Sequence, residues 1–381
     1  MTHWSLQCSA CDARERGDAL AQVCPQCGQP YLVAYAQLPD GPDTLIDRWD
    51  MWRYAAWMPL APDESPVTLG EGATPLLPAQ PLADALGVRT LWIKEEGLNP
   101  TGSFKARGMS AAVTRAKALG VAGMVVPTAG NAGAALAAYG AAAGVAVRVY
   151  APSETPASIL STIRALGAEL LTVDGHIGDA GKAAREFAAA QGWFDASTLR
   201  EPYRIEGKKT MGLELAEQLG WRFPDAIIYP TGGGTGLIGM WKAFRELVMA
   251  GWIDDGVRPP RMITAQASGC APIVHAFHEG ETWAAPWANP RTHASGLRVP
   301  GPLGDRLILR ALRESSGDAE SAEEDEIRDA TLEFTRRTGV DASPEGGCAL
   351  AVCRKLVTAG RLSRDAEIVL FNTGAGSSYR G

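Results

Sequence analysis

The chain has 381 residues, 46% of them hydrophobic and 21% charged. That is enough to bury a core in two or three domains and excludes an intrinsically disordered segment. Its 43 acidic and 36 basic side chains leave a net charge of −7, which argues against a nucleic-acid binder working by bulk phosphate neutralisation but leaves room for a local cationic pocket.

At the amino terminus there is neither a basic segment nor an apolar run of the kind a signal peptide carries, so a cytoplasmic location is expected. Cys8-x-x-Cys11 and Cys24-x-x-Cys27, with twelve residues between the pairs, fit a four-thiolate zinc ribbon with every metal position filled by protein. Such a site is architectural. A degenerate knuckle or a redox pair are the alternatives. The remaining cysteines, Cys270, Cys348 and Cys353, lie in Gly/Ala-rich settings and read as small core residues.

A connector follows over about 30–68, and its Trp49, Trp52, Tyr54 and Trp57 are expected to pack it onto the main body. From residue 85 onward, β-rich runs alternate with Ala-rich helical stretches. The runs include Thr90–Ile93, Gly123–Val126, Val145–Tyr150, Glu169–Val173, Ala226–Tyr229, Arg261–Ala265 and Ile368–Phe371. That alternation predicts an α/β fold with parallel sheets covered on both faces, whose ligands sit at the carboxyl ends of strands. The longest charge-free run, 118–147, is broken by Pro127, Asn131 and six glycines, so no membrane span is expected. Ser321-x-x-Glu324 reads as a capping box in an acidic, solvated helix start.

Three turns and one lysine carry the chemistry. In Asn99-Pro100-Thr101-Gly102-Ser103-Phe104-Lys105, a helix beginning near Ser103 places Lys105 in its first turn. The positive helix end disfavours an ammonium there, which suits a lysine that forms a Schiff base with an aldehyde. Thr128-Ala129-Gly130-Asn131, between a strand and a helix, offers backbone N–H groups to a carboxylate and the Asn131 amide to a phenolate-like oxygen. Gly232-Gly233-Gly234-Thr235-Gly236 follows the next strand and suits a phosphate. It also contains Gly234-x-Gly236-x-x-Gly239, a dinucleotide fingerprint, but Gln266, Ala267 and Ser268 stand where a ribose-binding carboxylate belongs. One ligand with an aldehyde, a phosphate and an aromatic ring meets all three demands: pyridoxal 5′-phosphate. Thr373, in Phe371-Asn372-Thr373-Gly374-Ala375-Gly376, can hydrogen-bond the pyridine nitrogen.

These residues, with Gly70-Glu71-Gly72-Ala73-Thr74-Pro75-Leu76 ahead of them and Arg204-Ile205-Glu206-Gly207-Lys208-Lys209-Thr210 among them, resemble the fold-type II pyridoxal-phosphate enzymes over essentially the whole chain. Within that group the resemblance is strongest to threonine synthases, lyases that turn O-phosphohomoserine and water into threonine and phosphate. The resemblance implies two three-layer parallel-sheet domains with a small amino-terminal zinc-ribbon-like knuckle. It divides the chain into a knuckle over 1–35, a large domain over 36–108 and 206–381, and a small mobile domain over 109–205. It implies Lys105 as the covalent and proton-shuttling residue, with Asn131, the segment Gly232, Gly233, Gly234, Thr235 and Gly236, and Thr373 on the cofactor. Thr128, Ala129 and Gly130 would take the substrate carboxylate, and Arg204 with Lys208 the substrate phosphate. A homodimer acting on a small amino acid, without nucleic acid or membrane, completes the expectation.

The chain departs from the family pattern at three places. Phe104-Lys105-Ala106-Arg107 replaces Phe-Lys-Asp-Arg. Ala132 follows Asn131 where the family has Thr. Leu199, Arg200 and Glu201 precede Arg204 where neutral donors are usual. The alternative these departures raise is β-elimination or β-replacement on a serine-, hydroxyaspartate- or phosphoserine-like amino acid. Glu345 is read as the start of a helix, with a place against the cofactor ring as the other reading. Ser295-Gly296-Leu297-Arg298 is a candidate pocket turn, and His275 and His278 read as ordinary histidines.

Overall fold

The computed structural model describes residues 3–380 and divides them into two compact units. One comprises residues 3–73 and 99–210, the other 74–98 and 211–380.

The first unit holds two sheets. Strands Trp4–Cys8, Arg14–Arg16 and Tyr31–Tyr35 form an antiparallel three-stranded sheet with Trp4–Cys8 in the middle. Strands Glu169–Val173, Val147–Pro152, Met124–Pro127 and Phe194–Asp195 form a parallel sheet in that order. Alternation along its strands decides what each face meets. Met124, Val126, Val147 and Val149 share a core with helices Lys105–Ala118 and Asn131–Ala143, whereas Val125 and Tyr150 pack on Ala180, Ala184 and Ala188 of helix Ile177–Gln191. Trp52, Tyr54 and Trp57 of the connector are buried as expected. Trp49 instead stands 89% exposed.

The second unit is built on a six-stranded sheet. Its order is Asp318–Ala322, Arg261–Ala267, Ala226–Pro230, Glu367–Asn372, Thr90–Glu95 and Leu76–Pro78, parallel throughout except for the last, an antiparallel edge strand. Ala226, Ile228, Ile263, Ile368 and Leu370 point to one face. There they join the buried residues of helices Gln80–Leu86, Glu324–Thr338 and Pro344–Thr358. Helices Thr235–Met249, Pro272–His278 and Asp305–Glu314 form a second group that also lies against the sheet. The α/β class with predominantly parallel sheets is therefore as the sequence predicts.

Two local readings need correction. Ser321 lies in the strand Asp318–Ala322, and the capping box is Glu323 with Glu326, because strand pairing to Arg261–Ala267 claims Ser321 first. The strand predicted to stop at Ala265 runs on to Ala267. No helix among the described residues is long and apolar enough to cross a membrane.

Candidate active site

In the second unit, strands Ala226–Pro230 and Glu367–Asn372 are parallel neighbours, so Thr231–Gly236 and Thr373 leave the sheet at the same end. Helix Thr235–Met249 has Gly234 as its N-cap, at φ +75° and with no side-chain cap. Its first-turn N–H groups are thus left for an anion, with the helix dipole adding to them. A Cβ on Gly236 would lie 2.0 Å from the Tyr229 hydroxyl, and one on Gly232 would lie 2.2 Å from the Gly296 carbonyl oxygen. Only glycine fits at either position. Gln266, which stands where a ribose carboxylate would be, donates from Nε2 to the Thr231 carbonyl at 2.9 Å and accepts from Ile273 N and Val274 N. It fixes the start of the glycine segment, so the dinucleotide fingerprint has a structural partner and no ribose acceptor.

Thr373 is buried, and Asn372 beside it is the hub of its turn. The Asn372 amide donates to both oxygens of Glu95, at 3.1 and 2.8 Å, while its Oδ1 accepts from Ser343 N at 3.0 Å. Burial pushes the Glu95 carboxyl up to about 7, against the bonds it accepts from Asn372 and Gly97 N–H. Sequence reading missed this cluster entirely.

In the first unit, Lys105 is the first residue of helix Lys105–Ala118 and is half-buried. Its Nζ lies 3.7 Å from the centre of the Phe104 ring. Thr101, at φ +61°, turns the chain into this helix, and the turn Pro100–Gly102 packs against helix Asn131–Ala143. Lys105 and Asn131 belong to the same unit, on helices that both touch this turn. Ser103 Oγ, buried two residues before the lysine, has no hydrogen-bond partner among the described residues. An orphaned hydroxyl beside a first-turn lysine fits a polar ligand, and the lysine's chemistry fits an aldehyde. Thr128 Oγ1 accepts from Gly130 N and Gly133 N at 3.1 and 3.2 Å and so shapes the turn containing Ala129 and Gly130. Gly130, the N-cap of the helix that begins at Asn131, has no side chain to offer, and Thr128 Oγ1 takes the Gly133 N–H of its first turn instead.

Glu71 anchors the same unit. Fully buried, it accepts from Trp52 Nε1 at 3.1 Å, Leu69 N at 2.9 Å and the Tyr139 hydroxyl at 2.5 Å. Burial, followed by the charge of Glu71, pushes the Tyr139 hydroxyl upward.

Around Arg204 the structure is closed. The guanidinium is 1% exposed, and its Nη1 donates to the Ala196 carbonyl at 2.7 Å; Nε has no partner among the described residues. Glu201 does not lie idle there. Its Oε2 accepts from Tyr203 N at 2.7 Å and Arg204 N at 3.0 Å, the unsatisfied donors of helix Tyr203–Gln218. Burial raises its carboxyl to about 7, against Arg204 and those N–H groups. Leu199, 2% exposed, adopts φ +64°. Lys208 is fully buried; its ammonium donates to the Phe104 carbonyl and lies 4.3 Å from the same ring that Lys105 covers.

The four amino-terminal cysteines converge. Cys8 Sγ to Cys27 Sγ is 3.4 Å, Cys11 to Cys27 is 3.6 Å and Cys11 to Cys24 is 3.7 Å. All four sulfurs lie within 4.8 Å of one another. Thiolates about 2.3 Å from a tetrahedral ion stand about 3.8 Å apart, so the set fits a metal. Burial acts against it, but the N–H groups of Gln26 and Cys27 and the neighbouring thiols bring Cys24 down to about 6. Cys270, Cys348 and Cys353 are buried and unbridged.

The family model for pyridoxal-phosphate dependent enzymes matches residues 67–374. The threonine synthase of Methanosarcina acetivorans is 36% identical over 380 residues, covering 97% of this chain and 91% of that protein. That of Methanocaldococcus jannaschii is 36% identical over 86% of this chain and 80% of its own length. Among solved structures, maize serine racemase superposes with a TM-score of 0.69 at 23% identity, over 80% of this chain and 88% of that one. The processed threonine deaminase isoform 2 of Solanum lycopersicum gives 0.66 at 23%, over 79% of each chain. The chain belongs to the pyridoxal-phosphate dependent enzymes. More narrowly, it is a lyase of the threonine synthase type.

Proposed function

We propose that this chain converts O-phosphohomoserine and water into threonine and phosphate, with Lys105 as its catalytic residue. The observation that carries this reading is Lys105 at the first position of its helix, beside the orphaned Ser103 hydroxyl. Pyridoxal phosphate supplies an aldehyde for the substrate's amino group and a ring that stabilises negative charge beside it. Lys105 would hold that aldehyde and would take and return the protons at the substrate's Cα, Cβ and Cγ. Asn131 orients the ring hydroxyl. Gly232, Gly233, Gly234, Thr235 and Gly236 bind the cofactor phosphate through backbone N–H groups, and Thr373 donates to the ring nitrogen. The turn of Thr128, Ala129 and Gly130 would bind the substrate carboxylate, and Arg204 with Lys208, buried as they are, would supply the positive charge that favours its phosphate. Protons would leave Cα and Cβ as phosphate departs from Cγ; Cγ would then gain the proton that makes it a methyl group, water would add at Cβ and Cα would regain its proton. Residues 109–205, which contain a parallel sheet of their own, act as the mobile domain that excludes water until elimination is set up.

The cysteine cluster holds a structural zinc in this reading, supported by the sulfur spacing. Seven unbridged cysteines favour the cytoplasm. The assembly is the homodimer that the family resemblance implies.

The test is incubation of the cofactor-loaded protein with O-phosphohomoserine. Phosphate and threonine are expected in equal amounts. Absence of both would transfer the assignment to β-elimination or β-replacement on a serine-, hydroxyaspartate- or phosphoserine-like amino acid.

A further inference from the structure

Glu345 lies in the first turn of helix Pro344–Thr358, 4% exposed. A carboxylate placed there for helix stability alone would gain from the dipole while staying in water. This one is buried, and its two oxygens have different fates. Oε1 accepts from Gly296 N at 2.8 Å. Oε2 has no hydrogen-bond partner among the described residues, a cost that a residue kept only for folding would not carry.

The bond to Gly296 leads directly to the glycine segment. The Gly296 carbonyl oxygen lies 2.2 Å from where a Gly232 Cβ would be, so these two backbones are in contact. A Cβ on Gly296 would lie 2.7 Å from Glu345 Oε1, so a side chain there would push the carboxylate off its present position. Carboxylate, turn and glycine segment therefore stack in that order, with nothing between them. The same helix start reaches the other cofactor contact. Its N-cap Ser343 is bonded to Asn372, and Asn372 precedes Thr373.

We infer that Glu345 is a positioning residue for the cofactor phosphate: it fixes the turn Ser295–Leu297 behind Gly232 and so sets the shape of the glycine segment. The inference rests on the reading that Gly232–Gly236 bind that phosphate. Loss of the brace leaves the segment able to shift away from the anion, and the effect appears in cofactor affinity before it appears in the fold.

The experiment measures the dissociation constant of pyridoxal phosphate and the ³¹P resonance of the bound cofactor in four full-length proteins. These are the wild type, Glu345→Ala, Glu345→Asp and Glu345→Gln. Alanine removes the acceptor and aspartate withdraws it by one methylene; both are expected to weaken binding at least tenfold and to shift the phosphate resonance. Glutamine keeps an oxygen for Gly296 N and is expected to stay within about threefold of wild type. Should the alanine variant fail to fold, the aspartate and glutamine pair still decides the matter. Wild-type affinity and an unmoved resonance in both Glu345→Ala and Glu345→Asp, with only a lower melting temperature of the cofactor-free protein, would overturn the inference. A wild-type resonance identical to that of free cofactor would instead overturn the assignment of the glycine segment.

Discussion

The glycine segment Gly232–Gly236 and the segment Asp195–Arg204 both precede helices, yet they are built in opposite ways. The glycine segment works through backbone: Gly234 caps the helix without a side chain, and Gly232 and Gly236 admit no Cβ. The other works through side chains that occupy one another. Asp195 accepts from Ser197 N at 2.9 Å, Glu201 takes the helix N–H groups, and Arg204 donates to Ala196. A backbone device fixes residue type at each position and leaves a fixed signature. A side-chain device can be rebuilt from different residues and leaves no such signature.

The largest effect expected is on the proposed covalent residue. Lys105→Ala should lose the absorption band of lysine-bound cofactor and reduce turnover by about a thousandfold or more. A variant that kept both would remove Lys105 from its role. Next comes the side-chain segment. Arg204→Ala should lower kcat/KM for O-phosphohomoserine at least about tenfold, roughly 1.4 kcal/mol, if its charge serves the substrate phosphate as proposed. An unchanged value would place the distal anion elsewhere.

The smallest expected effect separates Glu201's capping role from any role toward substrate. Its carboxyl, raised from 4.5 to about 7 by burial, binds its proton more tightly in the folded than in the unfolded chain. The stability it contributes is therefore complete below pH 4.5 and is lost as pH rises through about 7, by as much as about 3 kcal/mol. Glu201→Gln cannot titrate, so its melting temperature should fall less between pH 5 and 8 than that of the wild type. Part of the slope should persist, because Glu95 is raised to about 7 as well. Identical slopes in the two proteins would assign the whole dependence to other groups.

Much of the architecture was legible because it is periodic. Runs such as Val147–Pro152 and Glu367–Asn372 carry the apolar stretches of a buried parallel sheet. Strands Leu76–Pro78 and Phe194–Asp195 escaped, being only three and two residues long, too short for an alternation to show. In the site, the turns and Lys105 were readable because a turn or a helix start is a local event. The Asn372 cluster was not: Asn372 lies in the Thr373 turn, but its partner Glu95 is 277 positions away and belongs to no motif. Glu345 was half legible: the helix start follows from Ser343-Pro344, but its hold on Gly296 spans 49 positions.

The sulfur spacings at the amino terminus carry a consequence for how the protein is handled. Cys11 and Cys27, the two least buried of the four thiols, are 3.6 Å apart across the knuckle, near enough for an oxidant to join them once a chelator has stripped the proposed ion. The proposed metal would, in that sense, act as a protecting group. A preparation exposed to both chelator and air would trap the knuckle in a covalent form that added zinc could not reverse without a reductant.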